Sequence, residues 1–136
     1  MSYSIDAGVK AIFFLALISV TYPVHTQAAG SKKAPAFPIQ LRGIWQGGRE
    51  PCKHPGNMDS DSRIEIHSNK IFGYEDSSEL ISILKISSNP TAWKVHSKLD
   101  LGDSYFVDEY LIYVLSGEHL TVIDDRALPF TYTSCH

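Results

Sequence analysis

The chain has 136 residues, 12 Lys and Arg against 15 Asp and Glu, a formal net charge of -3, and 43% hydrophobic residues. A mildly acidic balance with no Lys/Arg run supplies no electrostatic footprint for nucleic acid or an anionic membrane, and the apolar share is too high for a disordered tail. The composition fits one small globular domain and singles out no biochemical activity.

Residues 11–20, AIFFLALISV, form a short apolar block behind Lys10, and small residues follow at Thr26-Gln27-Ala28-Ala29-Gly30. This order reads as a secretory signal peptide over 1–29, cleaved after Ala28 or Ala29, although Asp6 is an unusual acid for such a leader. A spanning helix needs about 20 apolar residues, and Pro23, His25 and Gln27 end this run too early. The first cysteine is Cys52, so no lipid-anchor cysteine stands at the cleavage site. The expected product is exported, periplasmic or secreted, without a stable membrane anchor, and monomeric. A mature chain of about 107 residues has a single core, burying roughly 65% of the surface of its unfolded form.

Both cysteines, Cys52 and Cys135, survive that processing. In an oxidising compartment an even count favours one disulfide, which here would close nearly the whole domain and stabilise it by about 4 kcal/mol. The functional alternative, a reactive thiol or a metal ligand, lacks a CxxC or Cys/His metal-site spacing.

Along the mature chain, residues 30–40, GSKKAPAFPIQ, read as a flexible lead-in. The β domain, 41–136, is expected to start at Leu41. Short segments follow at Leu41 to Gly47, Arg63 to His67, Ile71 to Glu75, Leu80 to Ile86, Ala92 to Leu99, Tyr105 to Leu115, His119 to Ile123 and Phe130 to Cys135, bounded by Gly, Pro, Asn, Asp or Ser. Ile64 and Ile66 alternate with Arg63, Glu65 and His67, and Trp93, Val95 and Leu99 with Lys94, His96 and Lys98, as in a sheet with one dry face. Ser68-Asn69, Ser88-Asn89-Pro90 and Ser116-Gly117 mark hairpins. Asp76 to Ile86 has a helical alternative capped by Ser77, but strand is preferred there. The predicted fold is all-β: a small antiparallel meander of about eight short strands, closing or nearly closing into a barrel to hide its edges, with a two-sheet sandwich as the alternative.

The candidate sites are sparse. His67, His96 and His119 fall at outward positions of separate strands, with no HxH, HxxxH or HExxH spacing, so no metal site is expected. Asn57 to Ser62 alternates oxygen ligands like a calcium loop, lacks the later Gly and Glu, and reads as a polar turn. Asp108-Glu109 and Asp124-Asp125 are paired acids, but neighbours on a strand point to opposite faces, so neither pair forms an acid/base couple by itself. No nucleophile or phosphate-loop motif occurs, and no enzyme and no cofactor are expected. The aromatic strand Tyr105 to Leu115 is apolar on both faces. It reads either as a central strand bent by a bulge around Asp108-Glu109, or as carrying an outer patch, Phe106, Asp108 and Tyr110, that binds a protein.

Gly43-Ile44-Trp45 is a G-x-W start of the kind that opens lipocalin-like barrels. In that resemblance Trp45 plugs one end of the barrel under a basic side chain, a role open to Arg126; apart from the resemblance, Gly43 and Trp93 also read as structural. Bottom-up, Trp45 is a buried aromatic and Gly43 allows close backbone approach. More closely, the chain resembles small exported β-domain proteins of Gram-negative bacteria, a group with no established activity. The resemblance runs from about Phe37 to Cys135 through Leu41-Arg42-Gly43-Ile44-Trp45, Cys52, Asp61 to Ile66, Ile71 to Glu75 and Phe130 to Cys135. It implies a compact β domain; the further Cys common after the aromatic-Glu step is replaced here by Ser77 and Ser78.

Two function classes follow. One is a non-catalytic binding protein acting on a protein partner in the envelope or a host, as an effector or inhibitor. The other is a lipocalin-like carrier of a small apolar ligand. A carrier must leave an interior hollow of a few hundred Å³, whereas the short chain favours a barrel filled by Trp45, Trp93 and the isoleucines.

Overall fold

The computed structural model describes residues 33–136. The expected leader over 1–29, with Lys10, His25 and the cleavage site at Ala28 or Ala29, lies outside the described residues.

Alternation of apolar and polar side chains, with turn residues between the runs, produces eight strands: β1 Gly43–Gly47, β2 Arg63–Ile66, β3 Lys70–Phe72, β4 Ser77–Ser88, β5 Thr91–Asp100, β6 Phe106–Ser116, β7 His119–Ile123 and β8 Phe130–Ser134. Each pairs antiparallel with the next, and β8 returns to β1 through Trp45 opposite Ser134 and Gly47 opposite Tyr132. The result is a closed barrel, which leaves no free sheet edge.

The inward rows carry the core: Trp45, Ile66, Ile71, Leu80, Trp93, Val95, Tyr113 and Leu120. Each such side chain, fully buried, contributes roughly 1.5–3 kcal/mol. The strand between Asp76 and Ile86 takes the sheet alternative and not the helical one, and it carries the barrel's irregularities. Register shifts fall between Leu80 and Ser82 and between Lys85 and Ser87. They rotate the lower half of β4, so Ile81, Leu84 and Ile86 face outward.

The bulge expected at Asp108-Glu109 is absent. β6 pairs with β5 without interruption from Thr91–Leu115 to Asp100–Phe106, so its second apolar face is simply an outward one. The extra residues of the hairpin are absorbed in β4 instead.

The lead-in, expected to stay outside the fold, is part of it from Phe37 onward. Phe37 and Leu41 have 0% exposure, and a 3-10 helix, η1, spans Ile39–Leu41 where the first strand was expected to begin. Pro35 and Pro38 favour an extended approach that delivers these two side chains under the barrel. There the Phe37 N–H donates to Ser68 O at 2.6 Å, and the Phe37 ring stacks on Tyr113 with centroids 6.4 Å apart. The Trp45 indole donates to Leu41 O at 2.9 Å. Together these residues plug one end.

Two expected structural roles change. Arg126 does not cover Trp45. It sits in the β7–β8 connection, where its guanidinium donates to both Asp124 carboxylate oxygens at 3.1 Å, because two adjacent acids hold it there. Gly43 meets no close neighbour at its missing side chain; its φ of +129° is what calls for glycine. The close approach belongs to Gly47, where a Cβ would lie 2.6 Å from the Ser62 Cβ.

Cys52 and Cys135 are joined, closing a loop of 83 residues. The bond ties the long β1–β2 connection to the end of β8, beside hydrogen bonds from His54 N to His136 O and from Cys135 N to Ile44 O. A disulfide points to a non-reducing compartment. No described helix is long and apolar enough to cross a membrane.

Candidate functional site

Register decides what the barrel interior holds at each level. On the plugged side Trp93 faces Tyr113 and Val95 faces Leu111; one step further, Ser97 faces Glu109. Ser78, on β4, lies diagonally across from Ser97 through the pairs Ser78–Leu99 and Leu80–Ser97. The interior therefore changes from large apolar side chains to a layer of two serines and a carboxyl. From that layer to the mouth the barrel is not filled, and the space also reaches Leu111 and Tyr113 beside it. A hollow of about 280 Å³ opens there, walled by Ile64, Ile71, Leu111, Val122 and Tyr132 and rimmed by Asp76, Asp124, Leu128 and Phe130. The expected filling by Trp45 and Trp93 thus holds for the plugged half only.

Glu109 is the inward carboxyl of β6. Its Oε2 accepts from Ser78 Oγ at 3.1 Å and from Ser97 Oγ at 3.4 Å. Burial raises its pKa above the ordinary carboxylate value; the two serine hydrogen bonds work against that, and the nearby Asp76 and Asp124 add to it. Tyr113 and Tyr132 line the same space, and burial pushes both phenols up. At the rim Asp124 is held down to about 2, chiefly by the hydrogen bond from the Arg126 side chain.

The outward row of β6 is a different surface. Phe106, Asp108 and Tyr110 stand opposite Asp100, Lys98 and His96 of β5. Tyr110 stacks on the His96 ring with centroids 4.2 Å apart and planes at 12°. His96 Nε2 lies 3.2 Å from Asp108 Oδ1, and the Lys98 ammonium stands 4.6 Å from the Phe106 ring centre. The three residues expected to form a patch are therefore neighbours on one face, with Phe106 48% and Tyr110 60% exposed. Leu84, displaced outward by the β4 bulges, joins Tyr110 beside a shallow hollow with Lys94.

The paired acids behave as strand geometry requires. Asp108 points out to His96 while Glu109 points in, and Asp124 and Asp125 both engage Arg126. The Asn57–Ser62 loop uses its oxygens internally: Asn57 Oδ1 accepts from Asp59 N, and Ser60 Oγ from Ser62 N and Gln46 Nε2. It is a polar turn. Among the described residues no three His, Cys, Asp or Glu side chains gather as a metal-binding set.

Sequence reasoning passed over Glu109. Its signal was the alternation itself, which puts one acid in the row Val107, Leu111, Tyr113 and Leu115. Comparison with protein-family models, with curated proteins and with solved structures finds no match.

Proposed function

We propose that this is an exported, non-catalytic binding protein whose barrel interior receives a small ligand. The observation that carries the reading is the hollow of about 280 Å³ at the unplugged end, with apolar walls and a few convergent polar groups. The plug of Phe37, Leu41 and Trp45 closes the opposite end of the barrel, where Phe37 and Leu41 are fully buried and the Trp45 indole donates to Leu41 O. Backbone amide shifts on titration with a small neutral aromatic such as indole test it. Ile64, Leu111 and Val122 should move together, and Val122→Trp, which occupies the hollow, should abolish the response. Shifts confined to the outer face would refute the interior site. N-terminal sequencing of the exported form should find Ala29 or Gly30 first; an intact Met1 form embedded in membrane would refute export.

A second reading is favoured by the exposure of Phe106 and Tyr110 beside Leu84. On it, the outer face of β5 and β6 docks a protein partner in the envelope or a host, with Asp108 and Lys98 giving the aromatic contact a charge pattern.

A further inference from the structure

We propose that the hollow at the barrel mouth is a site for a small organic ammonium ion with an apolar body, its nitrogen held by Glu109. The inference rests on the interior reading and adds the charge and class of the ligand.

Glu109 stands in an otherwise apolar row, and only Oε2 of its carboxyl receives protein hydrogen bonds among the described residues. Oε1 is left for a donor that the barrel does not supply. Tyr113, 3% exposed, borders the hollow, and its hydroxyl has no hydrogen-bond partner among the described residues. Both residues line the hollow with hydrogen-bonding capacity left over. A protonated amine offers three N–H donors for such acceptors.

The charges around the hollow select the sign. Asp76 and Asp124 lie at the rim and disfavour the ionised Glu109. Arg126, the nearby cation, is committed to Asp124 and Asp125. From β4 and β5 Glu109 meets only the Ser78 and Ser97 hydroxyls, and from β6 and β8 only phenols. A cation entering here relieves repulsion among three carboxylates, whereas an anion would add to it. Ile64, Ile71, Leu111 and Val122 take the apolar body. The hollow lies just under the roughly 300–1,000 Å³ of drug-sized sites, so the ligand is a small monoamine.

The disulfide-bonded protein is titrated at pH 8 with 2-phenylethylamine, 2-phenylethanol and 3-phenylpropanoate, following the Leu111 and Val122 resonances. The amine should bind at least tenfold tighter than the alcohol, and the acid not at all. Glu109→Gln should reduce the amine to the level of the alcohol. Lowering the pH through the Glu109 titration should do the same to the unmodified protein, leaving the alcohol unaffected, so the result does not hinge on the variant folding. Equal binding of amine and alcohol, or an amine affinity indifferent to that titration, would overturn the ammonium site and leave the interior reading standing. If none of the three probes moves those resonances, both fail.

Discussion

Removing the Cys52–Cys135 bond tests how far this small barrel depends on a covalent closure. The bond links residues 83 apart, and the chain-entropy relation for a loop of that length gives about 4.5 kcal/mol of stabilisation through the unfolded state. Around the bond, Gly48 N donates to Thr131 O, His136 N to Cys52 O and Cys135 N to Ile44 O. The native seam therefore has its own hydrogen bonds and should persist without the bridge, so the loss falls mainly on the unfolded chain. For a domain of this size, about 4–8 °C of Tm per kcal/mol translates that into a fall of more than 15 °C. The measurement is thermal unfolding followed by circular dichroism, with and without reductant, and on the Cys52→Ala/Cys135→Ala variant. Alanine is chosen because Cys135 is 8% exposed and a serine hydroxyl there would bring its own desolvation cost. A Tm change below about 5 °C in both experiments, or two thiols titrating in the native unreduced protein, would refute the reasoning.

Three other outcomes follow from the geometry. Trp45→Ala should cost about 3–5 kcal/mol in denaturant unfolding, as a cavity under the barrel does, while Trp45→Phe should lose only about 1 kcal/mol for the hydrogen bond to Leu41 O; equal losses would place the Trp outside the plug. Tyr110→Ala should change stability by no more than about 1 kcal/mol, the worth of its stacking on His96, yet weaken a partner docked on that face by about 2 kcal/mol; unfolding with unchanged affinity per folded molecule would make Tyr110 core. Because Glu109 titrates above its unfolded value, the folded state binds the extra proton between the two values. Its contribution therefore worsens as pH rises from about 4.5 through the folded pKa. Glu109→Gln should flatten that stretch of the stability-pH curve and leave the protein no less stable at pH 8, and an unchanged slope would show that the carboxyl is not desolvated.

The strands were legible because their code is local. Arg63-Ile64-Glu65-Ile66 and Trp93 to Leu99 alternate with a period of two, and the Ser116-Gly117 turn fixes the register of β6 and β7. What sequence could not show was where irregularity would be absorbed. The both-sided apolar pattern of β6 suggested a bulge in that strand, and the barrel put the bulges in β4, on the far side of β5, so that Ile81, Leu84 and Ile86 of β4 became surface. Phe37 was hidden by its neighbours: prolines on either side read as a linker, and only the three-dimensional closure of the barrel reveals an open end for that ring to fill. The outer row Phe106, Asp108 and Tyr110 was readable from alternation alone. Glu109 was readable by the same rule, but its importance rests on Ser78 and Ser97 arriving from two other strands, a coincidence of register that no local pattern contains.

That coincidence bears on why the barrel is half filled. Three inward positions on adjacent strands carry Ser78, Ser97 and Glu109, while the level nearer the plug carries Trp93, Val95, Leu111 and Tyr113. Valine or leucine at those three sites would bury more apolar surface and spare the desolvation of a carboxyl. For stability alone the polar layer is the poorer choice. Its members also satisfy one another, Ser78 and Ser97 both donating to a single oxygen of Glu109, so the carboxyl is fixed in one orientation, with its second oxygen free. A side chain fixed in that way on the wall of the hollow is placed to meet something that enters from the mouth, because a polar group that serves only its own neighbours needs no open space beside it.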